Sequence, residues 1–96
     1  ELQASINPYP YINITPYTSI SDFVKEHVTD DGMILAVHLN ASSLTDRPNN
    51  ANNWIAFMQF FMGKSTGYYC VYYYDANNAY IGIATENESI TWHSII

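Results

Sequence analysis

Along residues 53–96, four aromatic-rich hydrophobic runs are each followed by a short polar stretch or the end of the chain, as in successive β-strands. The runs are 53–62, 67–74, 79–85 and 89–96. In the first, Ile55, Phe57, Gln59 and Phe61 fall on one face, and Trp54, Ala56, Met58, Phe60 and Met62 on the other. Both faces are apolar except at Gln59, so this strand is expected to be covered on both sides. The second run sets Tyr68, Cys70, Tyr72 and Tyr74 opposite Tyr69, Val71 and Tyr73. The connections carry turn chemistry: residues 63–67 with a glycine at each end, then Asp75-Ala76-Asn77-Asn78, then Glu86-Asn87-Glu88. Strands spaced this way predict an antiparallel meander.

Upstream, residues 32–39 form a nearly continuous apolar run whose length favours a buried strand over a helix. Residues 19–29 are the one helical candidate. Ser19 or Ser21 can cap it, Asp22 suits its first turn, and Ile20, Phe23, Val24, His27 and Val28 recur at helical spacing. Residues 1–18 hold Pro8, Pro10 and Pro16 beside Tyr9, Tyr11 and Tyr17, and read as an extended strap or linker. Its apolar side chains need either a partner subunit or the body of the domain to pack on. Residues 40–53 make the longest polar stretch, expected to be an exposed loop of the kind that carries recognition. The fold class is therefore mainly β (α+β): a small antiparallel sheet or sandwich with one short helix, the strap over 1–18 and the β-rich domain over 19–96.

Size and charge narrow the function. The 96 residues make one domain, and a domain this small buries a low fraction of its surface. With 48% hydrophobic and 16% aromatic residues the chain has apolar material to spare, which points to subunit contacts. Nine acidic residues against three basic ones give a net charge of −6, and Lys25, Arg47 and Lys64 are too scattered to form a basic stripe. Nucleic acid and anionic membrane surfaces are poor partners for such a surface. No run approaches the roughly 20 apolar residues that cross a bilayer as a helix. Cys70 is the only cysteine, placed mid-strand as a small hydrophobe, so no intrachain disulfide is possible. The opening Glu1, with no basic and apolar leader after it, reads as the start of an excised fragment or processed product.

Candidate chemistry is sparse. His27, His38 and His93 lack metal-ligand spacing, and no cysteine pair exists. Cys70 has no base nearby in sequence, and Asp30, Asp31, Glu86 and Glu88 lie in turn segments where solvated carboxylates are ordinary. No enzyme activity, metal or cofactor is expected. Nine tyrosines with Trp54 and Trp92 offer flat apolar faces with polar handles, suited to sugar rings and to protein interfaces alike. They are equally good strand formers. The loop residues Asp46, Arg47, Asn49, Asn50 and Asn52 are the first choice for ligand contacts, with Trp54, Tyr68 and Tyr72 as stacking surfaces.

One resemblance follows from the order of motifs. Arg47-Pro48-Asn49-Asn50 precedes Asn53-Trp54 and an apolar strand; an aromatic strand, Tyr80-Ile81-Gly82-Ile83 and Thr91-Trp92-His93-Ser94-Ile95 follow. This resembles the pyocin-knob-type tip domains that end bacteriophage tail fibres and phage-derived bacteriocins. The likeness covers residues 20–96. It departs at Ile95, where a second Trp is usual, and at Ile83 and Ala84, where a basic residue is often found. The resemblance implies a non-enzymatic receptor-binding domain, homotrimeric, exposed on a virion, joined to an upstream fibre shaft and taking a host cell-surface glycan or other receptor. The rival expectation is a structural module of a fibre, neck or capsid decoration, with a small hydrolase as a third.

Overall fold

The computed structural model describes residues 11–27, 32–49, 51, 53–63, 65–85 and 89–95. Six strands form a single sheet in the order β1-β2-β3-β4-β5-β6, which is also their order along the chain. They are β1 (Ile12–Asn13), β2 (Gly32–His38), β3 (Ala56–Gly63), β4 (Tyr68–Tyr74), β5 (Ala79–Thr85) and β6 (Thr91–Ser94), with one helix, α1 (Ile20–His27), between β1 and β2. From β2 onward every pairing is antiparallel. The fold is thus the expected β-rich class with one helix, arranged as one sheet rather than a sandwich.

The mixed character comes from β1. It lies parallel to β2, pairing Ile12 with Ala36 and Asn13 with Val37, and the Ile14 amide extends the ladder to the Val37 carbonyl at 2.8 Å. A parallel neighbour requires a crossover, and α1 supplies it. The strap therefore packs on the body of its own domain over its described part: Ile14 is buried and Tyr17 lies edge-on to Phe23 at 5.6 Å. Residues 1–10 fall outside the described residues.

Strand bounds follow the alternation closely. β5 covers the predicted span, whereas β3 begins three residues later than its apolar run. The Asn53 side chain is engaged by Asp75 at 3.0 Å, and the Trp54 carbonyl accepts from the Ala41 amide at 2.6 Å, which draws residues 53–55 out of the ladder. In the β3–β4 turn, the Thr66 and Gly67 amides both reach the Gly63 carbonyl, at 2.9 and 2.8 Å. Gly67 sits at φ 81°, a conformation that side chains with a Cβ resist.

Paired residues share a face of the sheet, so the register sorts every side chain. One face carries Ala36 and His38, then Met58 and Phe60, then Tyr69, Val71 and Tyr73, then Gly82 and Ala84, then Trp92. It is covered by α1 through Phe23 and Val24, with Phe23 packed on Phe60 at 5.2 Å between ring centres. The rest of the cover comes from the 40–53 loop. It is exposed at Asn40, Ser43, Thr45 and Asn49, as expected, but it is also anchored in the core, where Ala41, Leu44, Pro48 and Ala51 are fully buried. Their spacing of three, four and three residues places an apolar contact at each turn of an otherwise polar stretch. Gly82 permits the close approach of β6, because a Cβ there would stand 2.7 Å from the Trp92 ring.

Candidate functional site

Two of the residues singled out from sequence are held inside the fold. The Asp46 carboxylate accepts from the backbone amides of Ile20 at 2.7 Å and Ser21 at 3.0 Å, and from the Ser19 hydroxyl at 3.2 Å. These amides begin α1, where free donors and the helix dipole favour an anion. Ser19 completes the cap by accepting from the Asp22 amide at 3.3 Å. The Asp46 carbonyl accepts from the Trp92 indole N–H at 2.9 Å, which ties helix, loop and β6 together. Arg47 folds back on its own loop, donating through Nε to the Ala51 carbonyl at 2.7 Å and through Nη1 to the Leu44 carbonyl at 2.8 Å. Pro48 is buried beside it, while Asn49 is exposed. Asn50 and Asn52 lie outside the described residues.

The aromatic candidates stand apart from this hub and from one another. Trp54, 71% exposed, precedes β3 at one end of the sheet. At the other end, Tyr68 is paired with Gly63, the last residue of β3, and is 55% exposed. Tyr72 is half-buried mid-strand, edge-on to Phe61 at 5.4 Å. The structure therefore does not join loop, Trp54 and Tyr68 into one site.

Tyr68 has the more developed surroundings. It borders two shallow depressions, one of about 330 Å³ lined also by Ile83, Thr85, Ser89 and Thr91, the other of about 490 Å³ lined by Phe61, Gly63, Thr66 and Cys70 among others. Around Tyr68 these depressions combine apolar walls with the hydroxyl-bearing residues Thr66, Thr85, Ser89 and Thr91.

The second face of the sheet, which runs up to Tyr68, is the feature that sequence reasoning placed but did not interpret. It presents Met33, Leu35 and Val37 on β2, Phe57, Gln59 and Phe61 on β3, and Tyr68, Cys70, Tyr72 and Tyr74 on β4. Ile81 and Ile83 continue it on β5, and His93 on β6. No Asp, Glu, Lys or Arg stands at any of its strand positions. Its polar groups are partly matched, since the Tyr74 hydroxyl donates to the Gln59 side-chain carbonyl at 3.0 Å. Tyr11 lies edge-on to Phe57 at 5.4 Å and Leu35 is buried, but among the described residues no helix or loop layers over this face as α1 and the loop layer over the other. Of the cover expected on both sides of β3, the described residues supply a helix and a loop on one.

The Tyr17 hydroxyl donates to the Glu26 carboxylate at 3.0 Å and stands 2.9 Å from His27 Nε2. His38 is fully buried, its Nε2 donating to the Tyr17 carbonyl at 2.8 Å and its Nδ1 accepting from the Asn40 amide at 3.0 Å, which orients the ring. His27 stacks on Phe23, and His93 is exposed on β6. No group of three or more His, Cys, Asp or Glu side chains converges among the described residues. Burial, then the nearby Asp75 carboxylate, pushes the Tyr73 phenol up to about 12. Burial, then Asp46, raises Tyr69 well above its ordinary value. Burial alone pushes the Cys70 thiol up, away from the reactive thiolate.

Compared with protein-family models, curated proteins and solved structures, the chain matches none.

Proposed function

We propose that this chain is a non-enzymatic receptor-binding domain of a phage-type fibre or appendage, displayed outside the cell on a virion and contacting a host-surface saccharide at Tyr68. The observation that carries the reading is the exposed Tyr68 ring, set between two depressions that are rimmed by hydroxyl side chains. A flat aromatic surface takes the C–H face of a sugar ring, and hydroxyl groups around it exchange hydrogen bonds with the sugar's own. Thr66, Thr85, Ser89 and Thr91 supply that rim. Asp46 and Arg47 take a positioning role in this reading, because their polar atoms bond within the fold. Copies of the chain would stand together as a homotrimer at the end of an upstream shaft, as the motif resemblance implies.

The test is an array of bacterial surface polysaccharides probed with the native chain and with Tyr68→Ala. Binding to a subset by the native chain, lost in the variant at unchanged circular dichroism, is the expected result. Equal binding by both, or none by either, would sink the assignment. A second reading, an assembly module without receptor, is favoured by the uncharged open face of the sheet. It predicts that adsorption of the parent particle survives Tyr68→Ala.

A further inference from the structure

We infer that the open face of the sheet is an interface between copies of this chain. The argument begins with the pattern of β3 and β4. An antiparallel sheet with one solvated face alternates apolar and polar residues, whereas apolar residues on both faces belong to a sheet covered twice. Here Phe60, 0% exposed, and Phe61, 41% exposed, are neighbours of the same type on opposite faces, and only the first has a cover among the described residues. Of the large apolar residues that are exposed, Met33, Phe57, Phe61, Tyr68 and Ile83 all lie on this one face. Scattered exposed apolar residues are normal in soluble proteins; a contiguous face of them marks a contact surface.

Charge and area select the occupant. A chain of net charge −6 repels its own copies wherever its carboxylates meet. This face has no acidic or basic strand position, so it is where two such chains approach without that penalty. A partner chosen for opposite charge would find nothing on it to pair with. Strands spaced about 4.8 Å apart and rising about 3.3 Å per residue give β2–β6 a flat footprint of roughly 550 Å². Side-chain relief raises the accessible area toward the roughly 800 Å² per partner of an ordinary stable interface. Turned with the same face of other copies toward a common axis, the face gains the further layer that a sheet apolar on both sides requires.

This deepens the homo-oligomeric part of the proposed function; the saccharide depressions share Phe61, Cys70 and Ile83 with this face at its Tyr68 end, and Phe57 lies toward the other end. Phe57 pairs with Tyr74, six residues along β4 from Tyr68, which is roughly 20 Å. The experiment is molar mass by light scattering over a dilution series, with the rate of Cys70 alkylation measured in the same samples. Cys70 lies on the open face between Phe61 and Ile83, so association shields it. The native chain and Phe57→Leu are expected at a multiple of 10.9 kDa, with Cys70 protected until dilution releases it. Phe57→Lys, and independently Ile81→Lys, are expected at 10.9 kDa with Cys70 open, and the Phe57→Lys monomer should still bind glycan through Tyr68. A native chain of 10.9 kDa at every concentration overturns the inference, whether Cys70 reacts freely or is covered by the chain itself. So does an oligomer that both lysine variants leave intact. Tyr68→Ala tests the other reading: it should lose binding and keep the oligomer's mass.

Discussion

The two faces of the sheet are built from the same strands and differ in what lies on them. Phe23 of α1 and the buried Leu44 and Pro48 of the loop close one side. The other side, equally rich in aromatic and branched residues, has no second helix or loop layer among the described residues, and Met33, Phe57, Phe61, Tyr68 and Ile83 are exposed there. Hydrophobicity is therefore not what distinguishes core from surface here; the presence of a second layer is. A residue's contribution to stability should depend on its face far more than on its type.

The sharpest way to break that comparison is the adjacent pair Phe60 and Phe61. Phe60→Ala should cost about 3 to 5 kcal/mol in urea unfolding, as expected for emptying a packed aromatic site. Phe61→Ala should cost about 1 kcal/mol or less in dilute solution, where the open face is free, because part of its ring already meets water. Similar losses for both would mean that the second face is covered within the chain. Next in size is Gly82→Ala, where the added methyl meets Trp92 and Ile90 and should cost about 1 to 3 kcal/mol through overpacking. A near-neutral result would show that β6 is free to shift away. Asp46→Ala should cost about 2 kcal/mol by freeing the amides that begin α1, with Asp46→Asn recovering part of it.

The smallest effects concern the buried phenols. The buried Tyr69 and Tyr73 hydroxyls have no hydrogen-bond partner among the described residues. Replacing either by Phe should change stability by about 1 kcal/mol or less, in the favourable direction. In the folded chain Tyr73 keeps its proton to about pH 12, whereas the unfolded chain releases it near the ordinary value of 10.0. Between those values the unfolded state binds fewer protons, so stability falls as pH rises through this window and is unaffected by Tyr73 below it. Circular dichroism and phenolate absorbance followed together should show the exposed tyrosines ionising first, with the last ionisations coinciding with loss of structure. Tyr73→Phe should move that loss to higher pH.

How far the molecule was legible from sequence follows the same division. Aromatic and branched residues in short runs bounded by turn residues made β4 and β5 readable almost to the residue, and the spacing of Ile20, Phe23 and Val24 marked α1. The parallel β1 was not foreseen, because a two-residue strand beside prolines has no period to detect. The 40–53 loop is exposed in part, as read, but its core contacts were missed because its polar residues outnumber the four apolar anchors, although the spacing of Ala41, Leu44, Pro48 and Ala51 was there to be seen. Asp46 and Arg47 look in sequence like groups waiting for a ligand. Their partners are main-chain atoms, which carry no signature in the sequence. Tyr68 and Tyr72 fell on the open face by alternation alone, but only the register showed how many other apolar residues share it.

The bond from Trp92 to the Asp46 carbonyl has a consequence for the order of folding. From β3 onward each strand pairs with its neighbour in sequence through a short connection, so this part of the sheet can grow by local hairpins. The Trp92–Asp46 bond spans 46 positions and is absent until the last strand has docked. Only then is the loop that carries the helix cap pinned from its far side. A chain stalled before β6 would hold most of its hairpins yet lack this latch, and would show native-like strand content with a loosely seated helix.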